Sequence, residues 1–235
     1  MPGIPFPTLE KLREGSMLLV DKPLDWTSAD VVRFVRSRLY RRIGDVKVGH
    51  AGTLDPKATG LLLLCTGAFT KQIDHHLNQS KTYTGTFKLG ATTPCYDTEK
   101  EEDAWFPTEH ITPERLEAAR RSFVGEQMQR PPIFSAIKVG GKKMYKKARS
   151  GTATELEPRA VTIHRFEITE ARLPEVDFAV ECSKGTYIRS LAHDFGRALD
   201  SGGYLLALRR TAIGDLSVDG AHSPEAFGQY LESLG

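Results

Sequence analysis

The chain has 235 residues, 40% hydrophobic and 26% charged, with a formal net charge of +2. That length and balance suit a globular protein with its own core and exclude a disordered chain, a collagen and a coiled coil. The longest aliphatic run, Leu61 to Cys65, falls far short of the roughly 20 residues of a membrane helix. The opening MPGIPFPTLEKLREG carries proline and charge where a signal peptide has an apolar segment, so a cytoplasmic location without membrane contact is expected. Cys65, Cys95 and Cys182 are far apart and offer neither a disulfide framework nor a CxxC metal site. A pI near 8.4 lies below the value of about 9 that marks many nucleic-acid-binding domains, so charge balance alone announces no such partner.

In chain order, Met17–Asp21 reads as a short buried strand. Thr27 with Asp30 three residues on forms a capping box that opens a helix, with Val31, Val35 and Leu39 along one face. Residues 42–60 read as loop, and Leu61–Thr66 as a buried strand. Lys81–Leu89 alternates, placing Tyr83, Phe87 and Leu89 on one face. The acidic stretch 97–103 reads as loop, and Thr112-Pro113 starts a helix to about Phe123. Residues 125–157 show no clear period. Strands are expected at 159–172 and 176–182, then a helix at 187–200 with Ile188, Leu191, Phe195 and Leu199 on its apolar stripe. A strand near 203–213 and a helix at 223–233 close the chain. Strands in adjacent pairs, as well as beside helices, favour an α+β fold with a mixed sheet.

Several chemistries are absent from the sequence. Neither GxGxxG, GxxxxGK[ST] nor HExxH occurs, so no nucleotide-phosphate cradle or zincin site is expected. His75-His76 is the only histidine cluster, and neighbours on a helix point apart. Ser135-Ala136-Ile137-Lys138 matches SxxK but lacks the SDN and KTG partners of Ser-Lys acyl enzymes.

One segment is dense in chemistry: Gly49-His50-Ala51-Gly52-Thr53-Leu54-Asp55-Pro56-Lys57-Ala58-Thr59-Gly60. Its glycines allow tight turns and close backbone approach, and the following proline pushes Asp55 toward an extended conformation. Such a loop presents one carboxylate in a cleared space. Taken alone, the segment reads equally as a glycine-rich connection with aspartate in its common turn role.

Five motifs in order carry more weight. Val20-Asp21-Lys22-Pro23, GHAGTLDPKATG, Lys81-Thr82-Tyr83, CSKGTYIR at 182–189 and Leu208-Arg209-Arg210 resemble those of the TruB tRNA pseudouridine synthases, over about residues 15–222. The resemblance implies a mostly antiparallel central sheet with flanking helices, one catalytic domain over 1–235 with a thumb-like insertion at about 125–157, and no cofactor or metal. It makes Asp55 the catalytic carboxylate, with Arg189 as its charged partner and Tyr83 beside the reacting base. His50, Tyr187 and Leu208 fall at substrate-binding positions. The implied substrate is a uridine in the T stem-loop of tRNA, and a monomer is expected.

Two basic clusters bear on that partner. Lys138, Lys142, Lys143, Lys146, Lys147 and Arg149 resemble the family's thumb loop, so Lys142, Lys143, Lys146 and Lys147 are expected on the RNA backbone. Arg33, Arg36, Arg38, Arg41 and Arg42 stud one helix and its end, where an RNA grip and a solvated face are both open. The sequence departs from the family pattern at Lys57 and in a longer 40–48 loop. No basic, β-rich tail follows the LRR segment, so the PUA domain of many members is not expected. The competing function is an idle RNA-binding module on the same scaffold.

Overall fold

The computed structural model describes residues 4–135, 138–139, 142–144 and 156–234. In order these form α1 (Leu9–Glu14), β1 (Met17–Lys22), α2 (Ser28–Ile43), β2 (Val48–Ala51), β3 (Ala58–Thr66), a 3-10 turn (Gly67–Gln72), α3 (Ile73–Asn78), β4 (Lys81–Leu89), β5 (Ala91–Thr92) and β6 (Ala104–Trp105). There follow α4 (Pro113–Ser122), β7 (Gly125–Gln129), β8 (Lys138–Val139), β9 (Lys142–Lys143), β10 (Arg159–Arg172), β11 (Glu175–Cys182), α5 (Ile188–Ala198), β12 (Gly203–Ile213), β13 (Leu216–Ser217) and α6 (Pro224–Ser233). The architecture is the mixed, mostly antiparallel α+β arrangement expected, with helices flanking the sheet. No helix among the described residues is long and apolar enough to cross a membrane.

The chain divides into two compact units, residues 1–83 with 208–235, and residues 84–207. In the first, the strand order is β1–β3–β12. β1 runs antiparallel to β3 from Met17↔Cys65 to Lys22↔Gly60, and β12 runs parallel to β3 from Leu208↔Ala58 to Arg210↔Gly60. The unbroken run Leu61–Cys65 reflects burial on both faces. Leu62 and Leu64 pack with Val31, Val35 and Leu39 of α2 and with Phe227 and Leu231 of α6, while Leu61 and Leu63 pack with Ala51 and Ile213. A strand covered on both sides has no polar face to show as alternation. The capping box holds α2 as expected: Thr27 Oγ1 accepts from the Asp30 N–H at 3.0 Å, and Asp30 Oδ2 accepts from the Thr27 N–H at 2.8 Å.

In the second unit the order is β12–β4–β11–β10–β7. Its core is aromatic: Phe87 stacks on Phe178 at 4.1 Å, and Phe195 of α5 meets Phe166 at 5.6 Å. Val176, Phe178, Val180 and Cys182 all point inward along β11.

Residues 42–60 are not all loop. They contain β2, which pairs antiparallel with β3 from Val48↔Thr66 to Ala51↔Leu63, and the first residues of β3. The sequence Val-Gly-His-Ala has no alternating apolar signal; pairing to β3 makes it a strand. The polar segment Gly125–Gln129 is likewise a strand through its register with β10, Arg159↔Gln129 to Ile163↔Gly125. Helices α1 and α3, each of six residues, are too short to leave a periodic trace.

Candidate active site

The Asp55 loop is tied down along its length within the first unit. Gly52 and Gly60 both have positive φ, +95° and +100°. At Gly60 a Cβ would lie 2.3 Å from the Arg210 carbonyl oxygen, so β12 approaches too closely for any side chain there. Ser28 Oγ, at the start of α2, accepts from the Leu54 N–H at 2.9 Å and donates to the Leu54 carbonyl at 3.1 Å. Leu54 is buried, and Asp55 beside it is half-buried. The Asp55 carbonyl accepts from the Ala58 N–H at 3.1 Å, closing the turn around Pro56.

Two buried cations hold the loop from below. Arg210 is 1% exposed. It donates from Nε to the Leu61 carbonyl at 2.7 Å and from Nη2 to the Gly52 carbonyl at 3.0 Å, so one guanidinium spans both ends of the motif. Lys22 is fully buried and donates to the carbonyls of Pro23 at 2.9 Å, Trp26 at 2.6 Å and Pro56 at 3.4 Å. Burial pushes the Lys22 ammonium down to about 8; the negative charges of Asp55, Asp25 and Asp30 pull it back up, and Arg210 adds to the lowering. Three carbonyl dipoles and nearby carboxylates are the environment a buried cation needs.

The other expected residues of this unit sit on neighbouring strands. His50 is on β2 opposite Leu64. Leu208 pairs with Ala58, three positions after Asp55, and its carbonyl accepts from Thr59 Oγ1 at 3.4 Å. Tyr83 is 9% exposed on β4. Lys81 of the same motif is structural: its ammonium donates to the His76, Leu77 and Gln79 carbonyls at 3.2, 2.7 and 2.7 Å, satisfying the end of α3.

Arg189 and Tyr187 belong to the second unit, at the start of α5. Arg189 is 5% exposed. Its Nη1 donates to the Cys95 carbonyl at 3.1 Å, its Nη2 to the Phe134 carbonyl at 2.9 Å, and its Nε lies 3.6 Å from Asp97 Oδ2. Asp97 is 3% exposed and is itself fixed, accepting at Oδ1 from the Glu99 N–H at 2.9 Å and from Cys95 Sγ at 3.0 Å. Burial pushes the Cys95 thiol above its ordinary range, which keeps it a donor. The stretch 97–103, expected as an acidic loop, begins with a buried carboxylate. Its partner is more than ninety positions away, and no local pattern reports a contact at that separation. Gln129, at the end of β7, accepts from the Tyr187 N–H at 2.8 Å and donates to its carbonyl at 3.1 Å. That buried amide sets where α5 begins. Lys22, Arg210, Asp97 and Gln129 had no assigned roles from sequence, although the first two lie inside quoted motifs.

Among the lysines, Lys142 and Lys143 form the second strand of a hairpin, paired with Val139 and Lys138. Lys146 and Lys147 lie outside the described residues.

Comparison with known proteins decides what this scaffold is. The description "TruB family pseudouridylate synthase (N terminal domain)" matches residues 40–188. A tRNA pseudouridine synthase B of Flavobacterium johnsoniae is 54% identical over 228 residues, which cover 96% of this chain and 100% of that protein. The chain belongs to the TruB family of pseudouridylate synthases. The protein of the same name from Parabacteroides distasonis is 50% identical over 220 residues, 93% of this chain and 94% of that one. Among solved structures, a Cbf5–Nop10–Gar1 complex matches with a TM-score of 0.71 and 26% identity, covering 95% of this chain and 56% of the other. This chain thus spans about half the length of that one. An H/ACA RNP bound to a substrate RNA containing 2'-deoxyuridine shares the fold at a TM-score of 0.70. As a TruB-family synthase the chain is an isomerase, and the loop carrying Asp55 lies inside the matched region.

Proposed function

We propose that this chain converts a uridine in the T loop of tRNA to pseudouridine, with Asp55 as the catalytic carboxylate and without metal or cofactor. The reaction breaks the N1–C1′ bond, turns the uracil, joins C5 to C1′ and moves the C5 proton to N1. Atoms and electrons balance inside the substrate, so one ionised carboxylate, as nucleophile or as base, meets the chemical need. The observation that carries the reading is the loop itself: a half-buried aspartate in a turn clamped at both ends by the Arg210 guanidinium and below by Lys22. Fixed geometry of this kind lowers the cost of reaching the transition state.

Arg189, with its planar fork, is assigned as the charged partner of the Asp55 carboxylate. Tyr83 lies on the flipped base, a contact worth about 1–3 kcal/mol in comparable stacking. Tyr187 and Leu208 border the uracil, His50 fills the gap left in the stack, and Lys142, Lys143, Lys146 and Lys147 meet the RNA backbone as a thumb. The enzyme works as a monomer in the cytoplasm.

The test is tritium release from tRNA labelled at uridine C5, without added cofactor. Release by the wild type and none by Asp55→Asn, with RNA binding kept within a few fold, is the expected result. Asparagine keeps the size and turn preference and removes only the charge. Appreciable turnover by Asp55→Asn removes that residue from the mechanism; tight binding without release by the wild type makes the chain a binding module.

A further inference from the structure

The structure sorts the five arginines of α2 into two sets. Arg38 is drawn over the Phe34 ring, 3.4 Å from its centroid, and the exposed Arg42 donates to the Glu232 carbonyl at 3.3 Å; both are engaged with their own fold. Arg33, Arg36 and Arg41 stand on the open face with Tyr40, which is 64% exposed. Arg33 pairs with Asp30, and Arg36 with Asp45 at 2.9 Å. Both pairs are solvated and contribute little to holding the side chains, so a phosphate competes for them easily. The face borders a shallow groove lined by Arg33, Arg36, Ser37, Tyr40, Arg41 and Asp45. A second groove shares Arg33 and Ser37 and reaches Asp25 and Trp26.

That second groove ends at the Asp55 loop. The Asp25 N–H donates to the Pro56 carbonyl at 2.9 Å, and Lys57 Nζ donates to Asp25 Oδ1 at 2.7 Å. With Lys57 at the Asp55 end, the two grooves carry Arg33, Arg36, Arg38 and Arg41 against Asp25, Asp30 and Asp45, so a track with a modest excess of positive charge runs along α2. Arg33 to Arg41 spans about 12 Å at 1.5 Å per residue.

We propose that this α2 face binds the sugar-phosphate backbone of the paired stem in the substrate RNA. The inference rests on the pseudouridine-synthase reading and names a surface outside the reacting site. The chemistry fits a stem better than a loop. RNA stems expose phosphates and 2′-hydroxyls, whereas splayed loop bases need shaped polar pockets. The α2 face offers long, mobile guanidinium groups and a flat phenol on a convex helix, with no enclosed pocket. Charge complementarity selects a polyanion, and Tyr40 supplies a surface for ribose.

The experiment measures binding of a T-arm stem-loop across a salt series for wild type and for Arg33→Ala/Arg36→Ala/Arg41→Ala. All three side chains are exposed, and an unchanged melting temperature confirms that the variant folds. Each phosphate contact contributes about 0.7–0.9 to the slope of log affinity against log salt, so the triple variant loses roughly 2–3 from that slope. A charge-matched control, Arg121→Ala/Arg165→Ala/Arg172→Ala, removes exposed arginines of the second unit and leaves the slope near wild type. An unchanged slope in the α2 variant overturns the proposal. So does an equal loss in the control, which indicates only the general field of the protein, or an equal loss with a stemless oligonucleotide, which moves the contact to the loop. If the wild type releases no tritium from tRNA, the enzymatic reading fails separately, while the binding series still reports on the α2 face.

Discussion

At the residue scale, the arginine at the start of α5 depends on a carboxylate buried beside it. Asp97→Asn keeps the shape and takes one carboxylate away from the buried guanidinium, a change worth up to about 3–5 kcal/mol when a buried pair is broken. We expect the variant to melt lower and to turn over far more slowly, because Arg189 loses one of the groups that aim it. Wild-type turnover and melting temperature in Asp97→Asn mean that the 3.6 Å approach carries no weight. Tyr83 separates two roles in a different way. Phenylalanine keeps the ring face and leucine does not, so Tyr83→Phe should bind RNA like wild type and Tyr83→Leu more weakly. Equal affinities for the two variants make Tyr83 a core residue, in keeping with its burial.

At the scale of elements, Gly44 at the end of α2 and Gly60 within β3 show how close approach selects glycine. Gly44 and Gly60 both have positive φ, but a Cβ at Gly44 meets nothing within 4 Å, while one at Gly60 collides with the Arg210 backbone. Gly44→Ala therefore costs only the backbone penalty of about 1–3 kcal/mol. Gly60→Ala adds the displacement of β12 from β3, and with it the Arg210 clamp on the Asp55 loop. Chemical denaturation should show a clearly larger loss for Gly60→Ala, accompanied by loss of turnover; equal losses mean that the strands separate without cost. Elements made by pairing rather than by their own pattern, β2 and β7, are also the ones that sequence periodicity misses. Their side chains are small or polar, and what makes them strands is a row of backbone hydrogen bonds to a remote segment.

At the scale of the whole molecule, buried ionisable groups set opposing trends with pH. Lys22 falls from 10.5 to about 8 on folding. Between those values the unfolded chain binds the proton that the folded one has lost, so this group makes stability rise with pH across about 8 to 10.5. Cys65 and Cys95 are raised, chiefly by burial. They contribute stability below their unfolded values that is lost as pH rises through the folded ones. Wild-type melting temperature should therefore fall only gently from pH 8 to 10, and that of Lys22→Met more steeply, since the compensating group is gone. Parallel curves mean that Lys22 titrates alike in the folded and unfolded chains.

What the sequence determined by itself is local or family-wide. The α2 cap and its apolar face, the doubly covered β3 run and the alternation of β11 follow from neighbours within a turn or two, where spacing is information enough. The glycine-bracketed Asp55 loop was legible as a segment, and its likeness to a family supplied an activity that its residues left open between turn and active site. Tertiary structure decided what holds that loop and what holds Arg189. Arg210 reaches Gly52 across 158 positions, Gln129 reaches Tyr187 across 58, and Arg189 reaches the Cys95 carbonyl across 94. Each is a charged or polar side chain taken out of water, and such burial is tolerated only when folding delivers carbonyls, amides or a counter-charge to it. Those partners lie on loops and element ends far along the chain, and only folding brings them to the side chain, which no window of sequence contains.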